Sequence, residues 1–332
     1  MDAHPDVLDL CIVGAGPTSL FAGYYAGLRK MSMYIVDSLD ALGGQLTVLY
    51  PEKYIYDVAG FPKILAKDLA HQLVEQVMPH QPHIRLGLRV QDLLYDEATR
   101  VFSLTTEHAH YRARAVVIAA GIGSFTPKTL AIPGTEQYFG HGLYYSVPHV
   151  EPFLRQKILI VGGGDSAVDW ANTLTTVAES VTLIHRRDGF RAHEESVAKM
   201  KSTDTKIMLF HELKSLHGVG RVEQAVVYDN RTKHEQTLDV DAVLVNIGYD
   251  SSLGPIMKWG LDMERGKIKV DACMRTSRPG IFAAGDVITH PGKLNLIATG
   301  FGEAAVAVNF AKVWMDPGSK AFPGHSSEIV KG

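Results

Sequence analysis

Val7-Leu8-Asp9-Leu10-Cys11-Ile12-Val13-Gly14-Ala15-Gly16-Pro17-Thr18-Ser19 joins an apolar run to a Gly-x-Gly-x-x-Ser turn. The run from Leu8 to Val13 is apolar except at Asp9, and reads as a buried parallel strand ending at Gly14. Leu20 to Leu28 reads as the helix that follows, and Met33-Tyr34-Ile35-Val36-Asp37 as a second strand with an acid at its carboxyl end. This order of strand, turn, helix and strand is what a dinucleotide fingerprint requires. The glycines permit the tight turn and let the helix N-terminus approach a pyrophosphate, and the acid takes a ribose diol. The third fingerprint position holds Ser19 instead of Gly or Ala, and is expected to loosen helix-to-strand packing slightly.

The pattern recurs. Lys157-Ile158-Leu159-Ile160-Val161 reads as a strand, Gly162-Gly163-Gly164-Asp165-Ser166-Ala167 as the turn, Ser166 to Thr176 as a helix and Ser180 to Ile184 as the next strand. Asp37 lies 23 residues beyond Gly14, and at the same distance beyond Gly162 stands His185, in the run His185-Arg186-Arg187-Asp188-Gly189-Phe190-Arg191. Arginines at the ribose-selecting position neutralise a 2′-phosphate. The chain therefore reads as a holder of two dinucleotides, the second of them NADP(H).

A third nucleotide element is Pro279-Gly280-Ile281-Phe282-Ala283-Ala284-Gly285-Asp286, a short strand that delivers a Gly-Asp pair to its carboxyl end. Val116-Val117-Ile118-Ala119-Ala120-Gly121 resembles it, as does Ala242-Val243-Leu244-Val245-Asn246-Ile247-Gly248. These two segments bracket the second fingerprint and are natural crossing points. The predicted fold is α/β, with two Rossmann-like dinucleotide-binding domains. Residues 122–247 form the NADP(H) domain, inserted into a discontinuous domain of residues 1–121 and 248–332.

With 332 residues, 46% of them hydrophobic, a mean hydropathy of +0.01 and a net charge of −3, the composition is that of a globular protein. Its pI near 6.6 gives no electrostatic case for nucleic acid or a membrane surface. No apolar run of about 18 residues occurs, and Met1-Asp2-Ala3-His4-Pro5 is not a basic segment leading into an apolar one, so a cytoplasmic location is expected. His80 with His83 and His108 with His110 lack a third ligand at suitable spacing, so they read as exposed loop histidines and no metal is expected. The two cysteines are Cys11, read as a buried structural thiol, and Cys273.

Both fingerprints, Gly43-Gly44-Gln45, Ala119-Ala120-Gly121 and Phe282-Ala283-Ala284-Gly285-Asp286 together resemble the flavoprotein disulfide reductases with two dinucleotide domains, closest to the low-molecular-weight thioredoxin reductases. Those enzymes carry a redox-active Cys-x-x-Cys just before the second fingerprint. Here the stretch is Gly142-Leu143-Tyr144-Tyr145-Ser146-Val147-Pro148-His149, without a cysteine. The chain is similar instead to the thioredoxin-reductase-like ferredoxin (flavodoxin)–NADP reductases, through Gln45, Leu49-Tyr50-Pro51-Glu52-Lys53, Ala59-Gly60-Phe61-Pro62 and a C-terminal extension.

The resemblance implies an FAD-dependent enzyme that passes a hydride between NADP(H) and the flavin N5, and single electrons to or from a ferredoxin or flavodoxin, as a homodimer. It makes the discontinuous domain the FAD domain. Gly14, Gly16 and Thr18 belong to its phosphate turn, Asp37 binds the adenosine ribose and the Val90 backbone meets the adenine. Gln45 contacts the flavin, Tyr50 stacks on one face of it, Phe125 is a further FAD contact and Asp286 bonds the ribityl or pyrophosphate portion. For NADP(H) it implies Gly162, Gly164, Asp165, Ser166, His185, Arg186, Arg187 and Arg191. The helix opened by Ile297-Ala298-Thr299 directs its N-terminus at the flavin pyrimidine. In the tail, His325 covers the flavin of the partner subunit and Ser327 approaches the reactive edge. Lys53, Lys63, Lys67 and Lys293 are available as basic surface for an acidic carrier, with none assigned.

Overall fold

The computed structural model describes residues 7–147 and 150–325, without the side chains of 124–127, 250 and 251. The chain divides into two compact units, Met1–Phe125 with Ser251–Gly332, and Thr126–Asp250. It passes between them on Ser124–Pro127 and Tyr249–Ser252, which pair as a two-stranded ribbon. The sequence reading placed the inserted part at 122–247, at the glycines ending the two strands.

In the first unit a seven-stranded sheet is built around Leu8–Val13. Met33–Val36 and then His83–Arg85 lie on one side of it, parallel. His110–Ile118 lies on the other, also parallel. The carboxyl half of that long strand takes Ile281–Ala283 in parallel, and its first half takes Val101–Thr105 antiparallel. The register pairs Val13 with both Val36 and Ile118, and Ile118 with Ala283. Gly14, Asp37, Ala119 and Ala284 therefore leave the sheet together at its carboxyl edge, where open α/β sheets bind ligands.

The helix Pro17–Leu28 covers the sheet through Ser19, Leu20, Ala22, Gly23 and Ala26, and packs against Ala66–Val77 and Ile297–Met315. Apart from Leu20 its buried face is made of small residues, so neighbours approach closely; a Cβ on Gly23 would lie 2.9 Å from Val77 Cγ2. Cys11 and Ile12 are fully buried between the layers. Truncating Ile12 to Ala there would cost about 2–5 kcal/mol.

The second unit holds a five-stranded parallel sheet in the order Leu143–Tyr144, Ala242–Asn246, Lys157–Gly162, Ser180–His185, Lys206–Leu209. Alternate residues of one strand enter different cores. Ile158 and Ile160 pack with Ala167, Ala171 and Leu174 of the helix Asp165–Leu174. Leu159 and Val161 pack with Leu213, Leu216, Ala225 and Val227 of an antiparallel three-stranded sheet. Both faces being covered explains why these strands read as continuous apolar runs. Val161 pairs with Ile184 and Gly162 with Asn246, so the second turn, His185 and Asn246 also share one sheet edge.

Among the described residues no helix is long and apolar enough to cross a membrane.

Candidate functional site

The first glycine turn is shaped by contacts as much as by sequence. Gly14 has φ 116°, and a Cβ there would lie 2.5 Å from Ala119 O, so only glycine fits. Gly16 is the opposite case, with open space where its Cβ would be. It caps the helix Pro17–Leu28, whose first N–H groups have no partner within the helix. Ser19 departs from the sequence expectation. Its hydroxyl is fully buried and donates to Ala119 O at 3.0 Å, so it ties helix to strand instead of loosening them.

Asp37 Oδ2 accepts the Ala15 N–H at 2.5 Å and Oδ1 the Leu39 N–H at 2.8 Å. Burial raises this carboxyl above the usual range, and the N–H donors of Leu39, Ala15 and Ser38 work against the rise. A desolvated carboxylate with acceptor capacity left is suited to further donors, and a ribose diol supplies two. Segment 87–88 reaches the same place, since Gly87 N–H donates to Leu39 O at 2.7 Å and Leu88 N–H to Asp37 O at 2.8 Å. Val90 follows it and is buried.

Gly43 and Gly44 bring a second turn onto the first. Gly43 N–H donates to Ala15 O at 2.9 Å, and a Cβ on Gly44 would lie 2.9 Å from Gly16 Cα. Gln45 begins the short helix that follows, and a Cβ on Gly121 would sit 3.4 Å from its Nε2. Tyr50 is half-buried, and its hydroxyl is pushed up to about 12 by burial and by the carboxylates of Asp286 and Asp57. Asp286 itself is raised by burial, with Lys293 and Lys267 opposing and Glu303 adding. Gln45 and Tyr50, and Asp286 far along the chain from them, thus belong to the same edge of the sheet as Gly14 and Asp37. The glycine cradle, the desolvated acid and the half-buried ring fit a flavin dinucleotide.

In the second unit a cleft is lined by Gly164, Asp165, Ser166, Arg191, Asn246, Gly248 and Tyr249. Gly164 caps the helix Asp165–Leu174. The Asp165 carboxylate is turned away to accept the His193 N–H at 3.0 Å, which leaves the helix N-terminus to an anion. Arg191 N–H donates to Gly163 O at 2.7 Å, so the loop after His185 folds back over the turn.

His185 Nε2 donates to Gly189 O at 3.1 Å, and its ring stacks on Phe190 at 5.4 Å. Burial lowers its pKa, and Arg186, Arg187 and Arg191 lower it further. Among the described residues no carboxylate pairs with these three exposed guanidiniums. Three unpaired cations around a neutral imidazole suit a dianionic phosphate on a ribose. The Asn246 Oδ1 atom beside the turn is buried without a hydrogen-bond partner.

Phe125 lies on the strand Ser124–Pro127, whose side chains fall outside the described part of the structure, as does Ser327. His325 is exposed and meets Phe322 edge-on at 5.5 Å. The helix Ile297–Met315 begins at the residue the resemblance implied. Two expectations need correction. His80 and His83 are half-buried against Tyr24 and Tyr34, not exposed in loops. Lys293 is not surface for a carrier, because its side chain is 6% exposed and clamps Glu303. Sequence reasoning missed Asp57, Glu303, His290, Tyr249 and Asn246. Only Asn246 carried a signal, its place at the end of a strand-glycine segment.

A two-dinucleotide frame with these sites is that of a pyridine nucleotide-disulphide oxidoreductase, and residues 8–310 match the model of that family. The chain belongs to it and is an oxidoreductase. It is 51% identical to the ferredoxin–NADP reductase of Thermus thermophilus over 98% of this chain and 97% of that one. It is 49% identical to that of Sulfurisphaera tokodaii over 97% and 98%. Among solved structures it superposes on T. acidophilum thioredoxin reductase with a TM-score of 0.79 at 25% identity, covering 95% of this chain and 100% of that one.

Proposed function

We propose that this chain is an FAD-dependent ferredoxin (flavodoxin)–NADP(+) reductase. It exchanges a hydride between NADP(H) and FAD, and single electrons with an iron–sulfur protein or flavodoxin. One observation carries the second half of that reading. Residues 142–149 hold no cysteine, Cys11 is fully buried in a central strand, and Cys273 stands alone. Burial also pushes the Cys11 thiol far up, so no thiolate forms there. With no dithiol in the chain, electrons leave to a separate carrier.

Bound FAD supplies the conversion between a hydride and single electrons. The residues bind and orient. Asp37 accepts the adenosine ribose hydroxyls, and the turn from Gly14 to Thr18 meets the pyrophosphate. Gln45, Tyr50 and Asp286 surround the flavin and its ribityl chain, with Tyr50 against one face. Val90 and Phe125 complete the FAD contacts. In the other unit Gly162, Gly164 and Ser166 receive the NADP(H) pyrophosphate, and Arg186, Arg187 and Arg191 with His185 hold the 2′-phosphate. Further parts of the same proposal are a cytoplasmic homodimer and a tail that covers the partner's flavin with His325 and brings Ser327 to its edge. Deleting residues 322–332 should change the flavin spectrum and the hydride-transfer rate. Unchanged values would remove the tail from the site.

The deciding experiment is NADPH-driven cytochrome c reduction with and without added ferredoxin or flavodoxin. Strong stimulation is expected. Rapid quinone reduction or oxygen consumption without stimulation would make the chain a quinone reductase or NADPH oxidase. Failure of NADPH to bleach the flavin anaerobically would make it a sensing module.

A further inference from the structure

Behind Asp286 lies a charge cluster that the reaction does not call for. Glu303, on the second turn of Ile297–Met315, is 10% exposed, and Lys293 is 6% exposed. Lys293 Nζ donates to both Glu303 oxygens at 2.8 Å. His290 Nε2 lies 3.4 Å from Oε1, and the backbone N–H of Gly285 donates to Oε2 at 2.9 Å. Each carboxylate oxygen therefore has two neighbours, and the last of them belongs to the residue just before Asp286.

A buried lysine–glutamate pair is a poor device for stability alone, because desolvating both charges costs about what their attraction returns. Apolar residues of like volume would pack there as well. What the pair does that they could not is hold the Gly285 N–H. On the other side of the turn stands Thr18. A Cβ on Gly285 would lie 2.9 Å from its Oγ1, and one on Gly300 would overlap the same hydroxyl. The turn Gly285–Val287 is thus gripped between the Glu303 carboxylate and the helix of the first fingerprint.

We propose that Glu303, locked by Lys293, is a positioning residue for FAD, which acts by fixing the Gly285 N–H and so aiming the Asp286 carboxylate at the ribityl–pyrophosphate portion. This rests on the FAD reading above. Lys293 acts inside the protein, holding the Glu303 carboxylate where it meets the Gly285 N–H. His290 packs on the outer oxygen and closes the cluster.

The test is a double-mutant cycle on the full-length chain, read as the FAD dissociation constant by flavin fluorescence. Glu303→Gln and Asp286→Asn should each weaken FAD roughly tenfold, and the double variant should match Asp286→Asn within about twofold, because one acts through the other. Losses that multiply would overturn the proposal. Lys293→Met should behave as Glu303→Gln does, and Lys293→Arg should restore binding; equal losses in both would equally overturn it. Should Glu303→Gln not fold, Glu303→Asp keeps the charge, shortens the reach and completes the same cycle. A wild-type chain that binds no flavin would overturn the FAD reading itself, whereas flavin binding with multiplicative losses overturns only the role of Glu303.

Discussion

The Ala15 N–H donates to the Asp37 carboxylate at 2.5 Å, so the acid ending the second strand is tied directly to the glycine turn ending the first. The same carboxylate shapes the turn and keeps acceptor capacity that suits a ribose diol. Asp37→Ala should weaken FAD by roughly ten- to a hundredfold, the range for losing hydrogen bonds to a charged group. Titration of the ligand-free chain with FAD measures it.

Burial raises both Asp37 and Asp286 in the ligand-free chain. A carboxyl raised on folding binds its proton more tightly folded than unfolded. Its contribution is complete below the unfolded pKa and lost as the pH rises through the folded one. Asp286→Asn should therefore melt above the wild type at mildly alkaline pH, by about 2 °C or more, and level with it in acid. Melting curves of ligand-free protein across that range provide the check, and FAD binding should weaken in the same variant.

Gly163 lies so close to His185 that a Cβ there would overlap the imidazole at Nδ1. Gly163→Ala should displace the ring from Phe190 and Gly189 and raise the Michaelis constant for NADPH about tenfold or more, by analogy with overpacking a tight site. FAD content should not change, because the residues proposed for FAD lie in the other unit.

Arg186 is exposed at the end of the strand Ser180–His185, beside Arg187. Arg186→Ala should raise the Michaelis constant for NADPH roughly tenfold while leaving NADH nearly untouched, since a charge-assisted bond to a 2′-phosphate is absent in NADH. The difference should shrink with added salt. Equal effects on both cofactors would argue against the phosphate role.

The Tyr50 hydroxyl is pushed up to about 12, first by burial and then by Asp286 and Asp57. It should stay protonated well into alkaline pH, so the phenolate absorbance of wild type minus Tyr50→Phe should appear only after the exposed tyrosines have titrated. Tyr50→Phe should preserve the flavin spectrum, and Tyr50→Ala should shift it.

Strand and helix were legible where the pattern was local. Leu8–Val13, Lys157–Gly162 and Ala242–Asn246 are covered on both faces, so their composition alone announced strands. The two candidate ribose ends, Asp37 and His185-Arg186-Arg187, were legible because the fingerprint places them at a set distance along the chain. Ser19 was misjudged because its partner, Ala119 O, is 100 residues away and lies just beyond the end of a different strand.

The sequence by itself determined two nucleotide frames, the acid in one and the arginines in the other, and the missing dithiol, since each depends on residue type and spacing. Only the tertiary structure decided which distant residues share the first site. Parallel register brings Val13, Val36, Ile118 and Ala283 level, so the residues just beyond them meet at one edge. It also decided the fate of Lys293. A lysine in a Pro-Gly-Lys turn reads as solvated, and only the packing of Ile297–Met315 places a carboxylate where that charge is buried and paired.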